Sequence, residues 1–356
     1  MSASFSFTFP SIRGLQAGRE YYVSMCPLRL IPRIFLFDEE EVPPEIRAQR
    51  LLNRNRVPQM VRYILENEED YVFSALTASI DGDVEFEPIS NDPSETQLGT
   101  LHVPMTAKFI INDGQHRRAA IEEAIREVPE LRDETIAVVF FIDTGLKRSQ
   151  QMFADLNRYA VRPSKSISVL YDHRDILSES VATYVLSSPY YKQLVDRHRT
   201  SLAKRSMKLF TLSSFHSASQ QLTAGLEHLE KDTLKELISS FWDELYTVFP
   251  DWEAVFDRKR TAGDIRESSI HSYAVTLQAL GRIGNYLFKE EESEWQAHLQ
   301  KLRNVDWSRD NVQWEGAPVV NGSIRNSVSM VQQTAIRIKK MTKIPLSNDE
   351  QQAERQ

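Results

Sequence analysis

Cysteine is nearly absent: Cys26 is the only one in 356 residues. No intramolecular disulfide can form, and no zinc site can be built on paired thiolates. Set in an apolar stretch, Cys26 reads as a packed thiol. Glycine is scarce, at 12 residues, and neither a GxGxxG turn nor a GxxxxGK[ST] loop occurs, which removes the common dinucleotide and nucleotide cradles. HExxH, Cys/His zinc spacing and the GxSxG elbow are missing as well. The eight histidines are scattered. His102, His116, His173, His198 and His216 lack the i, i+4 pairing of helical metal ligands, so no protein-built metal site is expected. No apolar run approaches the roughly 18 to 20 residues that cross a bilayer, and Met1 to Gly14 lacks a basic segment followed by a sufficient apolar one. The expectation is a cytoplasmic chain without a membrane partner. Excess positive charge is lacking too. A net charge of −7 excludes a uniformly basic protein that coats nucleic acid, since such affinity rests on clustered Lys and Arg facing phosphates. Only local patches could do it.

What is present is an ordinary globular balance, 41% hydrophobic and 26% charged, in a chain long enough for one large domain or two ordinary ones. The densest chemistry lies at Ile110 to Ala120. Lys108 to Ile111 reads as a short buried strand ended by the turn signal Asp113-Gly114. Ala120, Ile121, Ala124, Ile125 and Val128 then recur at helical spacing. This strand, turn and helix puts His116, Arg117 and Arg118 in a first helical turn, where the dipole is positive and backbone N–H groups lack partners. Cations are badly placed there. An anion at the turn, a phosphate above all, would remove the mismatch; the plainer alternative pairs Arg117 or Arg118 with a carboxylate elsewhere in the fold.

Around this centre, residues 1–20 read as a loose arm or short edge strand, and Tyr21 to Phe37 as one or two strands bent at Pro27 and Pro32. Asp38 to Glu41 reads as a solvated acidic turn. Pro43-Pro44 opens a helix through Leu52, and Pro58 opens another to about Glu66. Tyr71 to Ile80 and Val84 to Phe86, separated by Asp81-Gly82-Asp83, predict a hairpin. Asn91 to Thr100 is loop-like, and Thr135 to Ile142 is a buried strand. A helix over 147–159 ends in Asn157 and Arg158, where a cation suits the dipole. The alternation makes this half α/β or α+β. From Ser166 helical periodicity dominates, so 1–165 and 166–346 are taken as separate domains, with a disordered polar tail at 347–356. Two basic stretches stand out in the second half. Lys192, Arg197, Arg199, Lys204, Arg205 and Lys208 fall within 17 residues against one acid, Asp196, beside Tyr190, Tyr191 and Phe210. Arg337, Lys339, Lys340 and Lys343 form the other. Both suit phosphate contact, although a charge run is more often a solvated face.

Asp113-Gly114-Gln115-His116-Arg117 resembles the signature of the DGQHR-domain family, related to ParB-like and sulfiredoxin-like domains. Within that family the chain is most similar to the DndB group of bacterial DNA phosphorothioation systems. The resemblance implies an α+β fold, with a ParB/sulfiredoxin-like mixed sheet at the N-terminus and a packed C-terminal helical domain. It implies a nucleotide or phosphate pocket at Asp113, Gly114, Gln115, His116, Arg117 and Arg118, joined by Asn53, Arg54 and Arg56 and by Asn157 and Arg158. A reactive cysteine stands by the turn in sulfiredoxin-like relatives, whereas Gln115 and His116 stand here, against sulfur redox chemistry at this place. The implied function is a repressor that binds double-stranded DNA, operator or modified, and controls phosphorothioation genes; other Dnd proteins and a second copy are possible partners. The alternative is a ParB-like nucleotide hydrolase or nuclease, with Asp113 positioning a metal or water, Arg117 countering phosphate charge, and a nucleotide with a divalent metal as its cofactor. A third reading makes the turn a structural lock between arginine and carboxylate.

Overall fold

The computed structural model describes residues 5–35, 56–92, 95–144, 148–158, 163–290 and 294–355. The chain divides into two compact units, Met1–Val161 and Arg162–Gln356. The first is α+β. Its seven strands are β1 (Ser6–Gln16), β2 (Arg19–Pro27), β3 (Leu76–Asp81), β4 (Glu85–Pro88), β5 (Leu98–Pro104), β6 (Lys108–Asp113) and β7 (Thr135–Ile142), in the spatial order β4-β5-β1-β2-β7-β3-β6. Every neighbouring pair is antiparallel except β3 and β7. Alternation puts Phe9, Tyr22, Cys26, Leu76, Ala78, Ile80, Leu101, Val103, Ile136, Val138 and Phe140 into one core, as period-two side chains on one sheet face must be. Val57, Val61 and Ile64 of helix Val57–Leu65 and Ile121, Ala124 and Ile125 of helix Gln115–Glu127 close it. Cys26 is fully buried there, and desolvation pushes its thiol up to about 12. It is an inert packing group.

Several expectations are corrected. The segment read as an arm is the 11-residue strand β1, bonded on both sides by β2 and β5. Beyond Pro27 the apolar run leaves the sheet for a short helix, Ile31–Ile34, with Pro32 in its first turn. The hairpin does not form. β3 lies between β7 and β6, while β4 pairs with β5 at the opposite edge. Both edges of β3 are taken by long apolar partners, and the exposed, proline-ended β4 suits an outer position. The helix expected from Pro43 to Leu52 lies outside the described residues.

The second unit is mainly helical. Helices Leu212–Leu222 and Ala274–Glu290 cross so closely that a Cβ on Gly281 would strike the Ala218 carbonyl. The Phe215 and Trp242 rings stack at 3.8 Å, Trp242 Nε1 donates to Ser219 Oγ at 3.0 Å, and the Tyr191 hydroxyl donates to the Trp242 carbonyl at 2.8 Å. Each polar atom of this aromatic core has its partner, as burial requires. The tail expected to be disordered is helix Asn348–Arg355. Lys339 and Glu350 anchor it, both 1% exposed in their side chains and 2.7 Å apart, with Lys339 Nζ 3.5 Å from the centre of the Tyr286 ring. Ser347 N also donates to Glu350 at 2.9 Å.

Removing residues 347–356 should cost about 3 to 5 kcal/mol, since it strands a buried lysine; an unchanged denaturation midpoint would refute the anchor. His271, 2% exposed, accepts from Trp252 Nε1 at 3.0 Å on Nδ1 and sits 3.2 Å from Asp251 on Nε2. That arrangement requires the neutral ring, and burial lowers its pKa. Stability should therefore be complete above the ordinary histidine value of about 6.5 and fall as pH drops below it, because the unfolded chain binds the proton first. Denaturant titrations of the wild type and His271→Gln at neutral and mildly acid pH should show the wild type losing more.

Candidate functional site

The DGQHR turn is built where β6 ends. The register shifts between Thr77 and Ala78, so that Asp113 rather than Asn112 stands opposite Thr77, and a bulge of this kind re-aims the side chain that follows it. Asn112 is buried, its amide donating to Ser79 Oγ at 2.8 Å. Gly114 follows at φ 108°, where a Cβ would run into the Leu76 side chain. Only glycine meets both demands. No side chain caps helix Gln115–Glu127.

Arg117 and Arg118 go different ways. Arg117 Nη2 meets Asp113 at 2.6 Å, while its Nη1 donates to the carbonyls of Ser74 at 2.9 Å and Ala75 at 3.2 Å and to the Ser74 hydroxyl. Arg118 leaves the turn. It pairs with Glu122 at 2.6 Å and donates to the Phe35 carbonyl at 3.1 Å and the Pro32 carbonyl at 3.4 Å. Both guanidinium groups thus have partners within this chain, as the structural-lock alternative expects. His116 also stands at the turn, and its pKa is lowered by burial and by the charges of Arg56 and Arg117, with Asp113 opposing. Arg56, predicted for the pocket, is therefore close enough to act on it. Gln115 is buried, and its Nε2 has no partner among the described residues.

Asn53 and Arg54 lie outside the described residues, as do the side chains of Asn157 and Arg158; the helix that carries the latter two, Ser149–Arg158, packs on β6. Among the described residues no three His, Cys, Asp or Glu side chains gather as a metal site. Asp113 is a single carboxylate already paired with Arg117, which does not fit the nucleotide-bound divalent metal of the hydrolase reading.

The first basic stretch has the opposite character. Lys192 lies on the short helix Tyr191–Leu194, and the other five occupy a long loop between the two-residue strands β8 (Val195–Asp196) and β9 (Phe210–Thr211), which pair in parallel. Lys192, Arg199, Lys204 and Arg205 are exposed and Arg197 is half-buried, and among the described residues none of the five makes a salt bridge. Lys208 is spent on the Gln193 carbonyl at 2.6 Å. Asp196 accepts from the backbone of His198 and Arg199, each at 2.9 Å, and its charge acts on Lys208. Helix Ala262–Ser268 supplies the frame: Arg266 Nη2 donates to the carbonyls of Ala203 at 3.2 Å, Lys204 at 3.0 Å and Ser206 at 3.1 Å, and its Nη1 to that of Lys208. Ser166 Oγ holds the Arg199 carbonyl at 2.7 Å. Sequence reasoning missed Arg266 and Ser166, because a bond to a carbonyl leaves no mark on the acceptor's residue type.

A family model described as DndB, DNA-sulfur modification-associated, matches residues 9–345. The chain belongs to the DndB family. No curated protein and no solved structure matches it. In the second basic stretch of this DndB-family chain Arg337 donates to the carbonyls of Gln313 and Glu315, Lys339 is buried with Glu350 and Lys340 pairs with Glu354, while Lys343 is exposed. At the turn, Arg117→Ala should lose about 1 to 3 kcal/mol, because it leaves two carbonyls and a carboxylate without their donor. Chemical denaturation measures it, and a wild-type midpoint would rule out the lock.

Proposed function

We propose that this DndB-family chain is a DNA-binding regulator, a repressor of the genes for DNA phosphorothioation, which contacts duplex phosphates through Lys192, Arg197, Arg199, Lys204 and Arg205. The observation that carries the reading is the loop of unneutralised cations held on a fixed frame in a chain of net charge −7. With its backbone carbonyls held by Arg266, such a loop has less backbone to order on binding, and counterion release from the phosphates drives the contact. A ParB-like origin for the N-terminal unit, with the DGQHR turn as a ligand-sensing or structural element, belongs to the same reading.

Five phosphate contacts would lower affinity by about 10² to 10³ between 50 and 200 mM salt, through counterion release. Titrating a fluorescent duplex across that range measures the slope, and Arg199→Ala with Arg205→Ala should flatten it by about two contacts. The same double variant should derepress a reporter fused to the promoter of the modification genes. Affinity indifferent to salt would overturn the role of the loop.

One observation favours the hydrolase or nuclease reading: the buried Gln115 amide without a partner, beside His116 and Arg56. Gln115→Leu separates the two. With no ligand in that place the variant should be as stable as the wild type or more so, because a buried unsatisfied group is removed. Turnover of ATP, GTP or CTP by the wild type, with or without duplex DNA, and its loss in the variant would make the turn an active site.

A further inference from the structure

Charge does not explain one residue of the cationic loop. Met207 is 86% exposed, although burying a methionine side chain is worth about 1.5 to 3 kcal/mol and a slack loop would fold it onto the nearest apolar surface. The backbone on either side prevents that. Arg266 holds the carbonyls of both Ser206 and Lys208, Lys208 N donates to Ser206 Oγ at 3.2 Å, and the Lys208 ammonium is tied to Gln193. The frame is itself close-packed and fixed. A Cβ on Gly263 would sit 3.1 Å from the Lys204 carbonyl, and the Tyr273 hydroxyl donates to the Arg266 carbonyl at 2.7 Å. An unbranched, polarizable side chain is thereby held outward between Lys204 and Arg205 on one side and Lys208 on the other.

We infer that Met207 is an apolar wedge that enters a base step of duplex DNA while the neighbouring Lys204 and Arg205 grip the phosphates, with Arg266 as the positioning residue that keeps the wedge extended. This rests on the DNA-binding reading above and adds a mode of contact to it. Partial insertion of a methionine unstacks a step and kinks the duplex by about 20 to 90°, most cheaply at flexible pyrimidine–purine steps such as TA. Part of the sequence preference then comes from deformability, in a loop that carries cations suited to phosphates.

The test uses the full chain and a 30-base-pair duplex (about three helical turns) with one central TA step and a fluorophore at each end, read by energy transfer. The wild type should shorten the end-to-end distance. Met207→Ala, at an exposed position, should bind with the same salt slope, since no cation is lost, yet leave the duplex straight and bind about tenfold more weakly. Arg266→Gln should reduce both the bend and the salt slope, whereas a residue that serves stability alone would lower the melting temperature and leave the slope of the folded protein unchanged. Binding without a bend, or an equal bend with Met207→Ala, overturns the wedge and leaves the regulator standing. Failure of the wild type to bind any duplex overturns both.

Discussion

Irregular backbone carries carbonyl groups that no sheet or helix satisfies, and in this chain arginine side chains supply many of the donors. Arg117 holds the carbonyls of Ser74 and Ala75, Arg118 those of Pro32 and Phe35, and Arg266 those of Ala203, Lys204, Ser206 and Lys208. Arg13, Arg303, Arg309 and Arg337 do the same for Thr96, Thr247, Gly322 and for Gln313 with Glu315. A guanidinium suits this work because its five donors lie in a rigid fork and it is less strongly hydrated than an ammonium. Leaving such carbonyls unpaired would cost about 1 to 3 kcal/mol each where they are buried.

That use of arginine decides which positive charges are left for a partner. At the DGQHR turn the guanidinium groups are absorbed by Asp113, Glu122 and nearby carbonyls, and the motif becomes a joint between β6, the chain entering β3 and the segment after helix Ile31–Ile34. Near the C-terminus the buried pair of Lys339 and Glu350 turns a basic stretch into an anchor for the last helix. In the loop between β8 and β9 the accounting reverses: Arg266, a residue from outside the loop, satisfies the backbone, and Arg199, Lys204 and Arg205 stay in solvent. Among the described residues, this DndB-family chain of net negative charge thus keeps a concentration of exposed cations on a loop whose carbonyls Arg266 holds.

Much of the architecture was legible in the residues. The α+β class, strands β6 and β7, helices Val57–Leu65 and Gln115–Glu127, and the inert packing of Cys26 all follow from local pattern, because periodicity, proline position and turn chemistry act over a few residues. The glycine of the DGQHR turn belongs to the same group. Its need for a positive φ is local.

Strand partnership, burial of charge and the acceptors of each guanidinium were decided by tertiary structure. Asp81-Gly82-Asp83 looks like a hairpin turn, yet β3 is claimed on both sides by β7 and β6, which lie far away in sequence. Ser6–Gln16 looks weakly structured alone, and becomes an interior strand only because β2 and β5 flank it. Lys339 and Lys343 are alike as letters; Glu350 and Tyr286 make the first a core residue. By itself the sequence determined which segments could be strands or helices and where cations were concentrated. Only the assembled fold determined which of those cations are spent on its own carbonyls and carboxylates and which remain, since that depends on acceptors brought close from distant parts of the chain.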